Sequence, residues 1–234
     1  MRITAGTDAG AVRKINQDSF LVDDKMKYCI VADGMGGHSA GEIASAMVVE
    51  EINRFLSENI PETLHNTVDC IYDAIRHANS KVFKSARLNF NYSGMGTTLV
   101  MTYFYGQKVI LANVGDSRAY LLRDGVLKQI TKDHSMVEQM VDEGTITRQQ
   151  ASTHPQRNVI TRAIGTDREV QADIFMLTAK DKDIILLCTD GLTNEIAEEN
   201  LCRMLIDGAD VDQLISKAKE NGGRDNITAV IIRM

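Results

Sequence analysis

The chain has 234 residues, 44% hydrophobic and 25% charged, which fits an ordinary folded domain with enough apolar material for a sizeable core. A formal net charge of -6 and a pI near 5.4 exclude the basic face that non-specific nucleic-acid binding requires. No stretch approaches the roughly 18 consecutive apolar residues of a membrane span, and the start lacks the basic, apolar, small-residue order of a leader, so a cytoplasmic protein without a membrane partner is expected.

In chain order, strands are predicted around Ser19 to Val22 and Tyr28 to Ala32, the second running straight into Asp33-Gly34. Two amphipathic helices follow. The first, Gly41 to Leu56, carries Ile43, Met47, Val48, Ile52, Phe55 and Leu56 at helical spacing; the second, Glu62 to Arg87, carries Leu64, Val68, Ile71, Ile75 and Val82. Four β-rich runs come next, Thr97 to Tyr105, Lys108 to Asn113, Ser117 to Arg123 and Leu127 to Ile130. The turn signals between them suggest an antiparallel meander.

A polar stretch from Asp133 to Gly165 holds a short helical pattern at Met136 to Glu143 and a second after Thr147. Strands resume at Val170 to Leu177 and Asp183 to Cys188, then helices near Ile196 to Ile206 and Val211 to Glu220, then a last strand, Ile227 to Ile232. Strands in runs and helices in runs indicate an α+β class, with two sheets sandwiched between helices. With only two prolines and no linker-like tract, residues 1–234 read as one domain. Cys29, Cys70, Cys188 and Cys202 form no CxxC pair and have no histidine at zinc spacing, so they read as reduced, buried thiols.

The chemistry lies in aspartates that each occupy a distinct phrase: Arg13-Lys-Ile-Asn-Gln-Asp18-Ser, Val31-Ala-Asp33-Gly-Met-Gly-Gly-His38, Val114-Gly-Asp116-Ser-Arg, Cys188-Thr-Asp190-Gly-Leu and Gly222-Gly-Arg-Asp225-Asn226. Most adjoin an apolar run, which puts the carboxylates at strand ends where several elements can converge. Carboxylates without cysteine or histidine partners suit hard cations, Mg²⁺ or Mn²⁺. A carboxylate bridging two such ions sets them about 3.5 to 4 Å apart, the spacing for activating a water for in-line attack on phosphorus. Asp33 is the candidate bridge, because Gly34 beside it lets a main-chain carbonyl serve as a further ligand. Taken singly, each aspartate reads equally as a turn or helix-cap residue, and Arg13 as a surface ion pair.

Taken together, the phrases resemble the motifs of the metal-dependent protein phosphatase family, type 2C, in its bacterial form. The resemblance runs in order through Arg13 to Ser19, Ala32 to Glu42, Gly94 to Thr98, Asn113 to Tyr120, His154 to Gly165, Thr189 to Leu192 and Gly223 to Thr228. It implies a four-layer α-β-β-α sandwich of two antiparallel sheets flanked by helices, with a flap at about residues 135–165 beside the active site. It also implies hydrolysis of phosphoserine and phosphothreonine in proteins by water activated between two Mn²⁺ or Mg²⁺ ions. By position Asp33 bridges the ions, with Asp18 and the Gly34 carbonyl on one side and Asp190 and Asp225 on the other. Asp116 with Asp190 supports a third, weaker ion, and Arg13 binds the substrate phosphate.

His38 is the candidate general acid, although family members with a proposed acid carry it directly after the Asp-Gly pair, where this chain has Met35. Support or packing of the loop is the alternative role for His38. His65, His77, His134 and His154 are expected in loops or on helix surfaces, and the Gly94 to Thr98 phrase is expected to be structural. By analogy the partners are phosphorylated proteins and a cognate bacterial Ser/Thr kinase, with a monomer as the default. Two rivals stand beside this reading: a non-catalytic phosphoprotein-binding scaffold of the same fold, which predicts loss of a metal-binding carboxylate, and a phosphoesterase acting on nucleotides or nucleic acid.

Overall fold

The computed structural model describes residues 1–23, 25, 27–36 and 40–234. One sheet takes β1 (Arg2–Asp8), β11 (Ile227–Arg233), β10 (Ile184–Cys188), β7 (Arg118–Arg123) and β8 (Val126–Gln129), in that spatial order. The other takes β2 (Asp18–Val22), β3 (Tyr28–Met35), β5 (Leu99–Tyr105), β6 (Lys108–Val114) and β9 (Asp173–Thr178), with β4 (Gly96–Thr97) paired to the end of β3. Every strand pairing within the two sheets is antiparallel, so the α+β class of two antiparallel sheets holds.

The layers follow from the two-residue period of a strand with both faces buried. In β3, Cys29 and Val31 join Val100, Val109 and Leu111 in packing against Leu121, Ile185, Leu187, Val230 and Ile232 of the opposite sheet. The alternate residues Tyr28, Ile30 and Ala32 face the other way. There they meet Val48, Ile52, Ile71 and Ile75 of α1 (Ala40–Glu58) and α2 (Leu64–Leu88). On the far side Leu186, Cys188, Ala229 and Ile231 pack against Leu201, Leu205, Leu214 and Ala218 of α6 (Glu198–Ile206) and α7 (Val211–Glu220). Helices, sheet, sheet and helices thus stack as four layers. Among the described residues the remaining helices are short: a 3₁₀ turn at Phe90–Tyr92, α3 (Met136–Asp142), α4 (Arg148–Ala151) and α5 (Asp190–Thr193).

Several expectations need correction. β1 was not anticipated, because Arg2–Asp8 is small and polar; it forms through seven paired residues along β11 rather than through its own hydrophobicity. β3 does not stop before Asp33 but continues through it, since Asp33 pairs with Asp18 and Gly34 with Thr97. The run Thr97 to Tyr105 breaks at Thr98, whose hydroxyl accepts from the Asp33 N–H at 2.9 Å and bonds Ser117 Oγ at 2.7 Å. The meander is divided, with β5 and β6 in one sheet and β7 and β8 in the other. The crossing occurs at Gly115, whose φ of 102° and tight approach to Thr98 exclude a side chain. β9 begins at Asp173 rather than Val170, and Arg162 takes the Gln171 carbonyl at 3.0 Å. Cys29 and Cys188 are buried free thiols as expected, but Cys70 and Cys202 are only half-buried.

Candidate metal centre

The predicted aspartates converge at one end of the sandwich. Asp18 opens β2 and lies opposite Asp33 in the β2–β3 ladder. Asp116 sits in the crossing between the sheets, Asp190 opens α5 directly after β10, and Asp225 lies in the turn before β11. Asp33 feels the charge of all four of the others. Burial pushes its carboxyl well above the usual range, and those four charges push it further. Asp18 and Asp116 are pushed up to about 7, each chiefly by burial and then by Asp190 among other carboxylates. Asp190 is raised by burial and by Asp225, with Asn194 Nδ2 donating to its Oδ2 at 3.0 Å.

Buried like charges are costly unless something compensates them. Asp18 shows what is lacking. Its Oδ2 accepts from Thr189 Oγ1 at 2.9 Å and Thr228 Oγ1 at 2.6 Å, whereas its buried Oδ1 has no hydrogen-bond partner among the described residues. An all-oxygen donor set, an orphaned carboxylate oxygen and mutual repulsion are the features that a hard divalent cation satisfies. Among the described residues no three His, Cys, Asp or Glu side chains come together closely enough to hold an ion unaided. Coordination would then fall to fewer carboxylates per ion completed by main-chain carbonyls and water, the habit of Mg²⁺.

Gly34 is where the backbone allows this. A Cβ there would lie 2.0 Å from the Gly41 carbonyl oxygen and 2.5 Å from that of Gln17, so the sheet end and the start of α1 close up only around glycine. Gly191 repeats the device, its Cβ position lying 1.9 Å from the Asn226 carbonyl oxygen. Arg13 reaches the cluster from the loop after β1, donating from Nη2 to Asp225 Oδ2 at 2.8 Å with its side chain 54% exposed. His38 lies outside the described residues.

Some functional neighbours were not singled out from the sequence. Asn226 accepts from the Gln17 N–H at 2.8 Å and donates to the carbonyls of Ala9 and Ile15 at 3.0 and 2.9 Å, pinning both ends of the Arg13 loop. It stands inside the Asp225-Asn226 phrase, which was the available signal. Thr189 and Thr228 likewise stand in quoted phrases, but their bonds to Asp18 span 171 and 210 residues. His134 is in a loop as expected, yet it is buried. The Gly115 N–H donates to its Nδ1 at 3.0 Å, and its Nε2 lies 3.2 Å from Asp173 Oδ2 and 3.0 Å from Arg162 Nη1. Arg162 donates to the other Asp173 oxygen at 2.8 Å.

A cleft of about 1380 Å³ opens beside the cluster between segment 131–158 and the α5 region, lined among others by Arg13, Asp116, Asp190 and Asp225. Residues 5–222 match the family model for protein phosphatase 2C. This chain belongs to the protein phosphatase 2C family. A serine/threonine phosphatase stp of Listeria innocua is 38% identical over 97% of this chain and 93% of that protein. The crystal structure of the Mycobacterium tuberculosis serine/threonine phosphatase PstP/Ppp superposes with a TM-score of 0.91 at 39% identity, covering 98% of this chain and 97% of that one. A second structure, the catalytic domain of the serine threonine protein phosphatase PstP in complex with two manganese ions, gives a TM-score of 0.87 at 37% identity over 98% and 96%. Among the described residues of this phosphatase no helix is long and apolar enough to cross a membrane.

Proposed function

We infer that this chain is a metal-dependent protein serine/threonine phosphatase that hydrolyses phosphoserine and phosphothreonine. The single observation that carries this reading is the pairing of Arg13 with Asp225 at the rim of a buried all-aspartate cluster, in a cleft of about 1380 Å³. The names of the relatives support the substrate class. The scaffold alternative predicts a missing carboxylate, and each of Asp18, Asp33, Asp190 and Asp225 is present.

Asp18, Asp33, the Gly34 carbonyl, Asp190 and Asp225 would hold two ions, with Asp33 shared between them and water completing the contacts that the carboxylates do not make directly; Asp116 with Asp190 would support a third. Mn²⁺ or Mg²⁺ bound there would supply Lewis-acid activation of water and neutralise charge on the phosphate. Arg13 presents a planar fork that can turn from Asp225 to the phosphate's peripheral oxygens, fixing the phosphorus for in-line attack. Thr189 and Thr228 hold one oxygen of Asp18 and so aim the other into the site. His38 is assigned to protonate the departing serine or threonine oxygen.

The same reading treats residues 1–234 as one catalytic domain with 135–165 as its flap. It places the protein in the cytoplasm as a monomer that opposes a bacterial Ser/Thr kinase on shared phosphoprotein substrates. Phosphate release from a phosphothreonine peptide and from a nucleoside monophosphate, each with Mn²⁺ and with EDTA, tests the substrate class. Metal-dependent preference for the peptide is expected; preference for the nucleotide would overturn the reading.

A further inference from the structure

The cleft beside the aspartates is lined by six cationic side chains, and most are already neutralised. Arg13 is held by Asp225 at 2.8 Å, Arg118 by Asp133 at 2.6 Å, Arg148 by Glu138 at 3.0 Å, and Lys132 by Asp142. Arg157 and Arg224 differ. Arg157 has no carboxylate partner among the described residues and stands on the polar segment 133–165. Arg224 directly precedes Asp225, its side chain is 71% exposed, and among the described residues its one ion-pair partner is Glu195, 3.7 Å from Nε.

The surroundings of Arg224 show how it is aimed. The Glu195 side chain is 3% exposed and accepts from the Arg224 backbone N–H at 3.2 Å, while Asn221 Nδ2 donates to the Glu195 carbonyl at 2.8 Å. The Ala11 N–H donates to the Gly223 carbonyl at 2.7 Å, which stitches this turn to the loop that bears Arg13. Its backbone is thus fixed on both sides of Gly223, and the terminal guanidinium nitrogens have no protein partner among the described residues.

We propose that Arg224 is a specificity-determining residue of this phosphatase: it recognises an anionic group, a carboxylate side chain or a second phosphate, on the substrate segment flanking the phosphoresidue. The proposal rests on the reading that the phosphate binds at the Arg13 and aspartate cluster. Arg224 directly precedes Asp225, so the group it reads belongs to residues near the phosphothreonine, and positions up to three on either side cover an extended segment of about 10 Å each way. A guanidinium fork suits both anions, and its partial exposure makes the gain moderate.

The test uses a phosphothreonine peptide with neutral flanks and matched peptides carrying Glu, Gln or phosphoserine at each of three positions on either side, assayed with saturating Mn²⁺. The wild-type chain is expected to favour at least one Glu or phosphoserine peptide over its Gln counterpart by about fivefold in kcat/KM, mostly through KM. In Arg224→Gln that ratio falls to near 1, and Arg224→Lys keeps part of it. Preference for the phosphoserine peptide alone identifies the anion as phosphate; preference for both identifies charge as the feature read. A wild-type ratio near 1 at every position, or a ratio that survives in Arg224→Gln, overturns the proposal. Turnover of the neutral peptide by Asp190→Ala at the wild-type rate would overturn the placement of the site itself, and the proposal with it.

Discussion

Asp18 and Asp33 face each other across adjacent antiparallel strands, one residue directly opposite the other, at the end of a largely apolar ladder. Like charges in that position oppose folding, so the sequence spends stability to bring two carboxylates together.

Asp18→Asn removes one of the two charges while leaving an oxygen for Thr189 and Thr228. The metal-free protein is expected to melt about 3 °C or more higher at pH 8. The same variant is expected to bind Mn²⁺ at least about tenfold more weakly, as loss of a ligand or its support commonly does. Differential scanning fluorimetry in EDTA and calorimetric titration give the two readings; a lower melting temperature in EDTA would show that the pair does not repel.

The raised carboxyls also fix the sign of the pH dependence. Asp18 and Asp116 ionise near 3.8 when unfolded and at about 7 when folded, because burial opposes their charge. Between these values the folded state keeps protons that the unfolded state has lost, so the stability of the metal-free protein falls as pH rises from about 4 to about 7. In EDTA the protein should melt higher at pH 5 than at pH 8, and the slope should be shallower in Asp18→Asn. Mn²⁺ should raise the melting temperature more at pH 8 than at pH 5. Equal slopes in the two proteins would remove Asp18 from the explanation.

Much of this was legible in the sequence, for a physical reason. Strands buried on both faces, such as Ile184–Cys188, show as continuous apolar runs, and the Asp-Gly pairs after them mark where backbones must approach closely. Asp33 and Asp190 were visible for that cause. Contacts closed across long separations were not legible: the Thr189 and Thr228 hydroxyls on Asp18, the hold of Asn226 on the Arg13 loop, and β1, which has little apolar character of its own. The division of the predicted meander between two sheets was hidden too, because the glycine that permits it, Gly115, looks like any turn glycine.

Gly34→Ala tests the close approach directly. A methyl group cannot fit 2.0 Å from the Gly41 oxygen, so the end of β3 or the start of α1 must shift. A loss of about 1–3 kcal/mol is expected by chemical denaturation, together with weaker metal binding. Wild-type stability and affinity would mean that the two backbones stand further apart.

His134→Ala would leave the Gly115 N–H and one Asp173 oxygen without their partner, at a cost of about 1–3 kcal/mol. Because Gly115 adjoins Asp116, turnover should require more Mn²⁺ in the variant. His134→Asn, which can accept from the same N–H, should recover part of both losses.

Arg13→Ala removes the side chain assigned to the phosphate. A rise in KM of roughly tenfold or more, with Mn²⁺ binding retained, is expected from the loss of charge-assisted hydrogen bonds. Steady-state kinetics on a phosphothreonine peptide provide the measurement, and an unchanged KM would leave Arg13 as an ion-pair partner of Asp225 alone.

The most direct test of the metal-centre account is phosphate release from a phosphothreonine peptide as Mn²⁺ is titrated, comparing the wild-type chain with Asp190→Ala under identical conditions. The account predicts release that rises with Mn²⁺, stops with EDTA and is nearly abolished by the substitution. Release that persists in Asp190→Ala at the wild-type rate, or that ignores EDTA, would contradict it.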